Sequence, residues 1–152
     1  MSASTILAAF AAAGLMAGTA VAGTVAPDAV KYEDGQVAAP LTDVAGDPAE
    51  GAKWFANRKL GNCLACHQNP DMPDEQFHGE TGPSLEGVAD RWSEAELRGI
   101  VVNSKMVFDG TMMPSFYRES GFNRTAGKFE GKTILSAQQV EDVIAYLRTL
   151  KE

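Results

Sequence analysis

Cys63-Leu64-Ala65-Cys66-His67 decides how this chain is read. The stretch holds both cysteines of the 152-residue sequence and one of its two histidines. C-x-x-C-H is the attachment pattern of a c-type haem, with two thioethers to the porphyrin and the imidazole on iron. On a short helix, at about 100° per residue, Cys63, Cys66 and His67 would fall within one arc of roughly 100°. All three could then address one face of a flat ring. Other uses of the pattern fit less well. A thioredoxin-like pair wants a βαβ setting, and no strand alternation is present. Zinc wants four N or S ligands, and beyond these three only His78 and carboxylates remain. A disulfide across two intervening residues closes a tiny loop and stabilises little.

Working outward, iron needs a sixth ligand. His78 and the methionines are the candidates. Met1 and Met16 fall in the N-terminal apolar segment, leaving Met72, Met106, Met112 and Met113. Met113 precedes Pro114, which disfavours helix at Met113 and fixes an extended backbone there. Gly110 supplies a turn just before it. Met113 is therefore the expected axial partner of His67, with Met112 next. Met106 and Met112 otherwise read as core filling, and His78 reads as an exposed side chain in a polar loop. The second nitrogen of His67 needs an acceptor to fix tautomer and ring plane, and the Pro83 carbonyl is a candidate. Trp54, Phe55, Trp92, Phe108, Phe116 and Tyr117 could pack on the ring or simply fill the core.

The segments around the motif read as helices and loops. Asp47-Pro48-Ala49-Glu50 offers an N-cap, a Pro at the first helical position and a Glu at the third, so a helix should run to about Asn57. Ser93 with Glu96 and Ser136 with Gln139 are two further capping boxes. After the last, Val140, Val143, Ile144, Leu147 and Leu150 recur on one helical face. Gln68 to Asp90 is rich in Gly and Pro and reads as loop. Asn103 to Leu135 shows little period, which is unusual in a compact domain unless the segment wraps a ligand. The architecture expected is all-α, four to five short helices around one covalently bound haem c.

The N-terminus reads differently. Met1 to Gly23 carries no charged side chain, Ile6 to Met16 is almost wholly apolar, and Ala20-Val21-Ala22 fits an export-signal cleavage site. Residues 1–22 are therefore expected to be a cleaved signal peptide, although no Lys or Arg opens it. An uncleaved anchor is the alternative, and the apolar run is short for that. Residues 23–46 read as an extended arm or weakly ordered linker, and 47–152 as the folded domain. The net charge is −7, with 22% charged residues and no basic stripe, so nothing points to nucleic acid.

Gly51 with Phe55, Cys63–His67, Gly82-Pro83, Met113-Pro114 and Tyr146-Leu147 together resemble the class I cytochromes c. That resemblance covers Asp47 to the end and implies crossed first and last helices. Gly110-Thr111-Met112-Met113-Pro114-Ser115-Phe116-Tyr117 and the segment from Gly131 to Val143 look like the SoxX family. Members are the small haem subunits of periplasmic, sulfur-oxidising SoxAX cytochromes. The resemblance implies a heterodimer with a SoxA-like haem subunit and a complex that joins thiosulfate oxidatively to a cysteine of a SoxYZ carrier. It places the bond-forming step of this S-thiosulfotransferase on the partner chain. A haem on this chain, attached at Cys63 and Cys66 and ligated by His67 and Met113, would pass electrons to a soluble acceptor cytochrome. A free-standing periplasmic carrier remains the alternative, since it needs only the cytochrome motifs. The long insert after Met113 argues mildly against it.

Overall fold

The computed structural model describes residues 23–152, and the export signal expected over 1–22 lies outside them. Each of the three capping signals starts a helix: α1 (Pro48–Ala56), α3 (Glu94–Asn103) and α4 (Ala137–Leu147), with a four-residue α2 (Val88–Arg91) before α3. Single 3₁₀ turns punctuate the connections. Among the described residues the only β pairing is two isolated bridges, Thr24–Thr42 and Glu33–Gln36. The all-α expectation therefore holds.

The capping boxes at Ser93 and Ser136 are complete, each with side chain and backbone exchanging hydrogen bonds. At α1 only half forms. Asp47 caps the Ala49 and Glu50 amides at 2.8 and 3.2 Å. Its own amide instead donates to Asp142 Oδ1 on α4 at 3.0 Å. The long-range partner displaces the local one, and Glu50 turns to Lys53.

Helices α1 and α4 cross in backbone contact. Gly51 lies directly against the Asp142 carbonyl, and a Cβ there would sit 2.8 Å from Tyr146 Cβ. Beside the crossing, Phe55 meets Tyr146 edge to face, ring centroids 5.5 Å apart. Asp142 is buried and has no cation. Its carboxylate accepts from the Asp47 amide, Trp54 Nε1 and Gln138 Nε2 at 3.0, 3.2 and 2.9 Å, which satisfies it inside the crossing. The apolar stripe of α4 (Val140, Val143, Ile144, Leu147) and Leu150 beyond it complete the core with Leu97, Val101 and Val102 of α3. Burying each such side chain contributes about 1.5–3 kcal/mol.

The arm over residues 23–46 is mostly exposed but anchors two side chains in this core. Val37 and Leu41 are 2% and 1% exposed. Their backbones are held by a charged pair on the helices. Arg98 and Glu141 meet in a fork, Nε to Oε1 at 2.9 Å and Nη2 to Oε2 at 3.0 Å. Arg98 Nη1 donates to the Val37 carbonyl at 3.0 Å, and Glu141 Oε1 accepts from the Leu41 amide at 2.9 Å. Burial is the largest influence and would lower the Arg98 pKa, but Glu141 and, after it, Glu94 together hold it above its ordinary value. Glu94 also reaches Arg98, but its side chain is 57% exposed and contributes little.

Two consequences are measurable by denaturant unfolding of the haem-loaded protein. Gly51→Ala should overpack the helix crossing and lower stability by about 1–3 kcal/mol. Glu141→Gln should leave the Arg98 charge buried without its partner and lower stability by about 3–5 kcal/mol.

Candidate haem site

The attachment motif occupies one turn, not the short helix expected. Only Cys63–Ala65 forms a 3₁₀ turn. Asn62, which precedes it, takes the left-handed conformation at φ 50°, one that Asn tolerates better than most residues. The amides of Cys66 and His67 both donate to the Cys63 carbonyl, at 3.1 and 3.0 Å. This shared acceptor winds the chain tightly enough to bring Cys63, Cys66 and His67 into one turn without a longer helix. Both thiols are free. Burial pushes the Cys63 thiol up to about 12.

A returning loop braces this turn. The Gly79 amide donates to the Leu64 carbonyl and the Gly82 amide to the Cys66 carbonyl, each at 2.7 Å. His67 Nδ1 lies 2.7 Å from the Pro83 carbonyl, the acceptor suggested by the spacing. With Nδ1–H donating there, Nε2 keeps its lone pair for a metal. Gly82 makes this approach possible, since a Cβ on it would lie 2.5 Å from His67 Cε1. The imidazole is thus oriented by a backbone that only glycine allows so close.

His78 is half-buried and has both ring nitrogens engaged, contrary to its reading as an exposed side chain. Nδ1 accepts from the Asn69 amide at 3.2 Å, and Nε2 faces the Met72 carbonyl at 3.1 Å. Neither nitrogen is left for iron. Asn69 is buried, and its Nδ2 donates to the Tyr146 hydroxyl at 2.8 Å, tying the haem turn to α4. Asn69 carried no sequence signal, because its partner is 77 residues away.

The methionines separate by environment. Met112 and Met106 are 76% and 53% exposed, so neither fills the core. Met72 and Met113 are half-buried and pack against the main apolar cluster, as does Cys63. The Met72 carbonyl is bound to the His78 cross-link. Met113 sits in the loop beyond α3, after a turn at Gly110 with φ 69°. Its amide donates to Thr111 Oγ1 at 3.2 Å. Phe55, Phe116 and Tyr117 are core residues, Trp54 is bonded to Asp142, and Trp92 meets Phe108 edge to face at 5.9 Å.

These residues fit haem c. Two unpaired thiols share a turn with an imidazole whose distal nitrogen is free, and a half-buried thioether packs on the same core. Among the described residues no cluster of three or more His, Cys, Asp or Glu is placed to hold a metal ion by itself.

Comparison with known proteins agrees with this geometry. The family described as Cytochrome c matches residues 48–151. A chain in the crystal structure of SoxXA from P. pantotrophus is 50% identical, with TM-score 0.80 over 85% of this chain and 99% of that one. Ferric cytochrome c-550 from Paracoccus versutus is 26% identical, with TM-score 0.40 over 70% of this chain and 99% of that one. The search of curated proteins gave no match. With the attachment turn, the helical fold and these similarities in accord, the chain belongs to the cytochrome c family, whose members hold haem c covalently, and within it to the SoxX branch.

Proposed function

We propose that this chain is the electron-transfer subunit of a periplasmic SoxAX-type complex, paired with a SoxA-like haem subunit. The observation that carries the proposal is 50% identity, over 85% of the chain, to a chain of a SoxXA crystal structure. In such a complex, thiosulfate is joined to a cysteine thiol of a SoxYZ carrier. Making that S–S bond releases one proton and two electrons, and the electrons need an acceptor. The bond-forming step is assigned to the partner chain, so the S-thiosulfotransferase activity belongs to the complex.

Haem c, when bound, supplies one-electron acceptance and donation. Within this chain, Cys63 and Cys66 would anchor it and His67 Nε2 would ligate the iron. The Pro83 carbonyl holds the imidazole in the tautomer that leaves Nε2 free. Met113 would supply the second protein ligand to the iron. A neutral thioether favours reduced iron and raises the potential, which suits an electron acceptor. A soluble cytochrome is the expected onward acceptor. Among the described residues no helix is long and apolar enough to cross a membrane, which is compatible with an exported subunit.

Two experiments test this reading. Affinity purification of the exported chain from its host should recover a second haem protein in equal amount, and deletion of the gene should abolish thiosulfate oxidation. Recovery of the chain alone, with oxidation intact, would instead favour a free-standing monohaem carrier. Met113→Ala should remove the weak near-infrared sulfur-to-iron band. It should also lower the potential, on the order of 0.1 V within the roughly 0.8 V that axial ligands span. Redox titration with near-infrared spectroscopy reads both, and a retained band would move the assignment to Met112 or Met106.

A further inference from the structure

The C-terminal end of α3 grips the loop that carries Met113. Ser104 is 0% exposed, and its Oγ donates to the Met113 carbonyl at 2.7 Å. Lys105 Nζ donates to the same carbonyl at 2.7 Å and to the Thr111 carbonyl at 2.5 Å. Asn103 Oδ1 accepts from Ser115 Oγ at 2.6 Å. Ser104 and Lys105 therefore hold the backbone at Thr111 and Met113, and Asn103 holds the Ser115 side chain. Pro114 already restricts the Met113 backbone. Once the carbonyl is also fixed, so is the direction in which the thioether leaves the chain.

We infer that Ser104 is a positioning residue for the Met113 ligand, its buried hydroxyl keeping the thioether presented to iron against competing ligands. The inference rests on Met113 being the second axial ligand. Ser104 outranks Lys105 because its hydroxyl is shielded from water, whereas the ammonium is exposed and water competes for it. Neither residue touches iron. Each acts through the main chain of residue 113. Before Met113 the loop is mostly open, with Met106 and Met112 largely exposed and Phe108 resting on Trp92 at 39% exposure; after it, the Phe116 and Tyr117 amides bond the Val101 and Val102 carbonyls.

The test is imidazole titration of the ferric, haem-loaded protein, read in the visible spectrum, since imidazole must displace the thioether to bind. Ser104→Ala should tighten apparent imidazole binding about five- to tenfold, the worth of one hydrogen bond, and weaken the near-infrared band. Ser104→Thr keeps the hydroxyl and should restore both readouts. Glu141→Gln lowers global stability away from this loop and should leave imidazole binding unchanged. If it tightens binding as much as Ser104→Ala does, the effect is general loosening and the positioning role is wrong. If Met113→Ala tightens imidazole binding but Ser104→Ala does not, the ligand assignment stands and the role of Ser104 fails. If Met113→Ala also changes nothing, the ligand assignment itself fails, and the inference with it.

Discussion

Helices α1 and α4 can touch backbone to backbone only because residue 51 has no side chain. Much else depends on that contact. It places Phe55 against Tyr146 and brings Asp142 within reach of the Asp47 amide and the Trp54 indole. Tyr146 then accepts from Asn69, which follows the attachment turn by two residues. The site is thus built outward from a helix crossing, through one aromatic ring, to the segment that carries the cysteines. A side chain at 51 would push α4 away and loosen each of these links together.

The two sides of the candidate haem site are held by different physics. On the Cys63–His67 side, backbone amides of a returning loop close on carbonyls of the turn, and Gly82 allows that loop to approach the imidazole. On the Met113 side, side chains at and just beyond the end of α3 hold the Met113 carbonyl and the Ser115 hydroxyl. The first arrangement would orient a histidine ligand flanked by two covalent attachment points. The second holds the proposed ligand Met113, which would have no covalent tie to the ring, through hydrogen bonds to its backbone and packing on the core.

The sequence made the helix starts and the haem motif legible because both are short-range chemistry. A cap needs an acceptor three residues before an amide, and thioether attachment needs two thiols and an imidazole at fixed spacing. The same logic identified Pro83 as a partner for His67, since both lie on adjacent segments. It failed where a distant partner competed. Glu50 does not complete its capping box because Asp142, 95 residues from Asp47, takes the amide. Residues 23–46 read as arm or linker because the bonds that hold them, to Arg98 and Glu141, span 61 and 100 residues. His78 read as exposed because nothing local shows that both its nitrogens are used.

By itself, then, the sequence determined that this is a haem-attaching, all-α chain, and it narrowed the second iron ligand to a few methionines. Those conclusions rest on residue types at fixed spacing, which survive any arrangement of the rest. Only the tertiary structure decided that the motif sits in a single turn, that Met106 and Met112 stand exposed while Met113 packs inward, and that a buried Arg98–Glu141 pair stitches the N-terminal arm to the helices. Each of these depends on burial and on partners far apart in the chain. Such partners meet only after the helices have packed, and local spacing carries no record of them.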